Sequence, residues 1–131
     1  MSRVEERAEA TFTNTLTLGD DPGHLISNGT VPTLTVTTAG NGECAIDAAA
    51  TDVAGTLTFS NTWADGDTVL VTFANAYATA PKVILSNAAT VNASGVTTLE
   101  IDTIAIATTG FTLTASGTCS GALTYFVIET V

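Results

Sequence analysis

Positive charge is nearly absent from this sequence. Arg3, Arg7 and Lys82 stand against thirteen carboxylates, a formal net charge of −10 over 131 residues. Holding a phosphate backbone takes clustered Lys and Arg, so no nucleic-acid partner is expected. Charge of either sign is sparse, at 12% of residues against 45% hydrophobic. Solubility therefore falls to Thr, Ser, Asn and the backbone, and part of this weakly polar surface is expected to be buried against neighbours. Histidine occurs once, at His24, and cysteine twice, at Cys44 and Cys119, which does not make a zinc site. No apolar run reaches the roughly 18 residues of a membrane span, and residues 1–10 lack the apolar stretch of a secretory leader. Folding in a cytoplasm follows as the expectation, with both cysteines as buried thiols rather than a bridge.

The parts that catalysis needs are also scarce: a nucleophile with its base, two carboxylates of separated pKa, or a metal. His24 follows Asp20, Asp21, Pro22 and Gly23, a turn-like context that suits a solvated or turn-stabilising role better than a Ser/Thr–His–Asp arrangement. Asp20-Asp21 and Asp65-Gly66-Asp67 supply oxygen atoms, but Asp opening a turn and Gly completing it accounts for them without a calcium loop. Glu100 and Asp102 alternate with Leu99, Ile101 and Ile104 and are expected on the wet face of a strand. No enzyme activity and no cofactor or metal is expected.

What the chain does have is threonine alternating with aliphatic residues. The pattern runs through TFTNTLTL at 11–18, PTLTVTT at 32–38, GTLTF at 55–59, DTVLVTFA at 67–74, KVILSN at 82–87, TTLEIDTIAIAT at 97–108, GFTLTAS at 110–116 and ALTYFVIET at 122–130, with ECAID at 43–47 beside them. A period of two with β-branched residues means strands with one dry face and one wet face. About nine or ten such strands in one domain predict an all-β, antiparallel β-sandwich, jelly-roll-like. Asn28-Gly29, Asn41-Gly42 and Asp65-Gly66 readily take the positive φ of tight turns, and are expected to reverse the chain within an antiparallel sheet.

Residues 1–23 are expected to form a short arm outside the sandwich, and residues 24–131 the sandwich itself. Ser2 and Glu5 fit a weak capping box, so the arm is either a turn or two of helix or an extended, frayed segment. Among the aromatics, Phe59, Phe73 and Phe111 alternate inside strands and are expected in the core. Trp63 and Tyr77 sit beside turns, and are expected as an exposed pair at an interface or against a glycan.

Four stretches carry a likeness to a known family: PTLTVTTAGNGECAIDAAATDVAGTLTF at 32–59, GDTVLVTFANAYATAPKVILSNA at 66–88, TTGFTLTASGT at 108–118 and LTYFVIE at 123–129. From about Gly29 onward the chain resembles a module that recurs among capsid accessory and tail-fibre proteins of tailed bacteriophages. The resemblance implies a β-sandwich that assembles as a homotrimer, and it transfers no catalytic motif. With about 28 residues ahead of the module, the expectation is a capsid decoration, or cement, protein on the outer surface of the virion head. Its partner would be the major capsid protein, reached through the arm residues Arg3, Arg7, Phe12, Leu16 and Leu18, with TFTNTLTL adding a strand to a neighbour. The alternative is a head-fibre or tail-fibre protein that binds a host cell-surface glycan through Trp63 and Tyr77.

Overall fold

The computed structural model describes Ser27, residues 29–87 and residues 99–130, with the backbone alone for Asn87 and residues 99–103. The docking-arm residues Arg3, Arg7, Phe12, Leu16 and Leu18, together with His24, Asp20-Asp21 and Asn28, lie outside the described residues, as do the side chains of Glu100 and Asp102. Eight strands follow in chain order: β1 (Thr33–Thr37), β2 (Glu43–Ile46), β3 (Ala54–Ser60), β4 (Thr68–Thr72), β5 (Lys82–Asn87), β6 (Leu99–Ala107), β7 (Gly110–Cys119) and β8 (Gly121–Ile128). Each coincides with one of the alternating segments of the sequence, and no helix occurs among the described residues.

The strands form two antiparallel four-stranded sheets, ordered β1-β4-β7-β6 and β2-β3-β8-β5, which we call sheets A and B. Alternation decides how they pack. In β3, β4, β7 and β8 every second side chain is buried, and these residues (Leu57 and Phe59, Val69 and Val71, Phe111, Leu113 and Ala115, Leu123, Tyr125 and Val127) form one core with Trp63, Phe73 and Cys119. Each sheet thus covers the other's apolar face, as a β-sandwich requires. A ring contact ties the sheets together: Phe111 of sheet A meets Tyr125 of sheet B edge-on at 5.4 Å, while Phe73, just after β4, packs tilted against Phe111 at 6.0 Å.

The turns depart from expectation in an instructive way. Asn41-Gly42 links β1 to β2, and Asp65-Gly66 links β3 to β4, so both carry the chain from one sheet to the other rather than reversing it within a sheet. Gly66 does take a positive φ of 87°, but Gly42 does not; Asn61 (φ 61°) supplies a left-handed residue at the end of β3 instead, a conformation asparagine tolerates well. The tight hairpin is β6 to β7, where Ala107 pairs with Gly110 around Thr108 and Thr109. There the glycine is needed for close approach, since a Cβ on Gly110 would lie 2.2 Å from the Val71 carbonyl oxygen on β4.

Candidate interaction surface

The outer faces of the two sheets differ. On sheet A the outward positions are threonine-rich: Thr33, Thr35 and Thr37 on β1, Thr68 and Thr72 on β4, Thr112 and Thr114 on β7. Leu70 interrupts them at 37% exposure. On sheet B the outward positions change character along the strands. At one end they are Glu43, Ala45, Thr58, Ser60 and Ala122; at the other, Ile84 of β5 is 54% exposed and Ile128 of β8 is 42% exposed. Register places Ile84 directly across from Phe126, Ile128 across from Lys82, and Phe126 across from Ala54 on β3. Three strands therefore contribute to one apolar cluster on the surface. Cross-strand neighbours of this kind lie about 5 Å apart at Cβ, close enough to act as a single patch.

The sequence marks these residues only indirectly. Ile84 and Ile128 appear as ordinary members of KVILSN and LTYFVIET. In both segments, though, apolar residues occupy consecutive positions instead of alternating with threonine, and that loss of alternation is the signal that both faces of a strand are apolar.

Trp63 is elsewhere. It is 3% exposed, packs edge-on against Phe59 at 5.1 Å, and its Nε1 donates to the backbone oxygens of Ser60 (3.0 Å) and Glu43 (3.3 Å). The expectation of an exposed Trp63 is thereby corrected: the loop after β3 folds back over the end of the sandwich, and two carbonyls satisfy the indole N–H in the interior, as a buried tryptophan needs. Tyr77 is half-buried. Its ring stands edge-on to Phe73 at 5.0 Å and its hydroxyl donates to the Asp52 carbonyl oxygen at 3.1 Å. The two aromatics are not brought together into a platform.

The carboxylates are largely occupied in holding loops. Asp47 accepts from the amides of Ala49 and Thr56 (2.8 and 2.7 Å), Asp52 from Ala74 and Asn75 (2.7 and 2.9 Å), Asp67 from Ala39 and Ala64 (both 2.8 Å) and Glu129 from Thr79 (2.7 Å). Asp65 of the Asp-Gly-Asp turn is exposed while Asp67 is buried. Among the described residues no cluster of three His, Cys, Asp or Glu side chains could hold a metal ion, and no described helix is long and apolar enough to cross a membrane.

Three weakly acidic groups are shifted upward. Cys44 on β2, which like Cys119 is present as a thiol, is pushed up to about 12, first by burial and then by the negative charge that Cys119 carries when ionised. Tyr125 is raised by burial and then by Asp47, Asp52 and Tyr77; Tyr77 is raised by burial and then by Asp52 and Glu129. A folded-state pKa above the unfolded one means that the folded chain keeps a proton the unfolded chain releases. The stability these groups contribute is complete below about pH 9, the ordinary thiol value, and is lost as pH rises toward their folded values. Urea unfolding midpoints should therefore fall between about pH 9 and pH 12, and Cys44→Ala should make that fall shallower. Equal slopes for the parent and the variant would remove Cys44 as a cause.

No protein-family model, curated protein or solved structure matches the chain.

Proposed function

We propose that this chain is a non-enzymatic assembly module: a virion structural protein of the capsid decoration type, which binds the outer surface of a phage head as a homotrimer and ties neighbouring major capsid proteins together. The observation that carries the assembly reading is the apolar cluster of Ile84, Phe126 and Ile128 on the outer face of sheet B. Contiguous apolar surface across neighbouring strands on a sheet's outer face is a mark of contact with another surface. It sits on a sandwich whose loops are fixed by carboxylate-to-amide bonds, so the patch is presented on a stiff support. The virion placement is supported by the resemblance of the four sequence stretches to phage capsid and fibre modules.

In this reading the sandwich stands on the shell, and the arm from Ser2 to Gly23 reaches across to neighbouring capsid proteins, opposing the outward pressure of packed DNA. The alternative, a fibre protein contacting a host glycan, has less to draw on, because burial of Trp63 removes one of its two aromatic contacts.

The test is reconstitution on shells that lack the protein. Full-length chain should bind with a copy number comparable to that of the major capsid protein. A deletion of residues 2–22 should remain a folded trimer and fail to bind. Normal shell binding by the deletion would overturn the bridging role of the arm, and only a few copies per particle would overturn the decoration role in favour of a fibre.

A further inference from the structure

Asn28-Gly29, Asn41-Gly42 and Asp65-Gly66 are pairs that can react with themselves. The backbone nitrogen of the glycine attacks the side-chain carbonyl carbon of the residue before it and closes a five-membered ring, an intramolecular step that needs no outside catalyst. Glycine favours the attack because no Cβ crowds the nitrogen. The fold treats the two pairs whose residues are all described, 41–42 and 65–66, differently.

At Asp65-Gly66 the nucleophile is engaged. The Gly66 amide donates to the Ala115 oxygen on β7 at 2.9 Å, and the residue is held at a φ of 87°. Attack must first break that bond, which costs on the order of tenfold in rate.

At Asn41-Gly42 both reacting groups are set for the step. The Gly42 amide has no hydrogen-bond acceptor among the described residues, so ring closure gives up no bond. Asn41 is exposed, and its Oδ1 accepts from the Thr62 amide at 3.2 Å. That N–H draws electron density from Cγ and stabilises the negative charge the oxygen takes up as the nitrogen adds. Gly42 itself is packed in place: a Cβ there would lie 3.0 Å from both the Thr62 oxygen and the Trp63 ring. The attacking residue is therefore held beside the amide that polarises Asn41.

We propose that Asn41-Gly42 is a site of spontaneous covalent modification in the folded protein. The Gly42 nitrogen bonds to Asn41 Cγ, its proton leaves with the Nδ2 amide group as ammonia, and water then opens the ring at either carbonyl. Opening leaves an aspartate or an isoaspartate at position 41. Either product adds one negative charge to the link between β1 and β2, and the isoaspartate also adds one methylene to its main chain. The inference concerns the chain itself and does not depend on the virion reading.

The test is ageing of the full-length protein at mildly alkaline pH, folded and in guanidinium, with peptide mass analysis and enzymatic methylation of isoaspartate as readouts. Folding should slow conversion at Asn41 by no more than about threefold, and at Asp65 by about tenfold or more. Asn41→Gln keeps the acceptor oxygen but would need a six-membered ring, so it should abolish conversion at position 41. Suppression by folding as strong at Asn41 as at Asp65 would overturn the proposal. Conversion confined to the peptide that carries Asn28 would overturn it as well.

Discussion

Replacing Asp67 with alanine should lower stability by about 3 kcal/mol, read as a drop in the urea midpoint at unchanged m value. Asp67 is buried at the foot of β4, and its two carboxylate oxygens accept from backbone amides that belong to different segments: Ala39, after β1, and Ala64, before β4, each at 2.8 Å. Its own backbone continues the network, since the amide donates to the Ala64 oxygen at 3.1 Å and the carbonyl accepts from Ala115 of β7 at 2.8 Å. One side chain thus closes two of the connections that carry the chain between the sheets at this end. Alanine leaves two partly buried N–H groups without an acceptor, and each such loss costs about 1–3 kcal/mol. Asparagine should cost less, because one oxygen remains while the amide nitrogen faces a donor. Asp65→Ala, two residues away at an exposed position, should stay within about 0.5 kcal/mol. Equal effects at 65 and 67 would show that the turn sequence matters and the buried carboxylate does not.

Asp67 also marks where legibility in the sequence ends. Strand positions are written plainly in the alternation of threonine with Leu, Val and Phe, because burial of one face of each strand acts on every second residue. The eight described strands follow that signal, and so does the core assigned to Phe59, Phe73 and Phe111. Sheet membership is not written there. Asp-Gly and Asn-Gly report that the chain turns, but a turn that reverses a strand and a turn that crosses to the facing sheet use the same residues. The choice is made by long-range partners such as Ala39 and Ala115. Trp63 misleads for the same reason. Its neighbours read as a loop, and only the carbonyls of Glu43 and Ser60, brought together by the β2–β3 pairing, provide a buried acceptor for its indole. The patch on sheet B falls between these cases. Its residues are visible as apolar, but their outward direction depends on the register of β5 against β8.

That register makes two neighbouring aromatics on sheet B opposite in kind, and the largest expected effect tests the distinction. Tyr125 and Phe126 are consecutive on β8, so one faces inward and the other outward. Phe111, which reaches Tyr125 from the facing sheet at 5.4 Å and touches Phe73 at 6.0 Å, is the ring that joins the two sheets at this end of the core. Phe111→Ala should cost about 3–5 kcal/mol, because it removes a fully buried aromatic and leaves a cavity that two rigid sheets cannot collapse to fill. Phe126→Ala should cost about 1 kcal/mol, since its side chain is only half-buried and water fills the space it leaves. Urea denaturation of both variants beside the parent reads the difference directly. If Phe126→Ala proved as costly as Phe111→Ala, the outer face of sheet B would be packed like an interior. Ile84 and Ile128 would then be covered in solution, and their present exposure would describe the sandwich stripped of its partner.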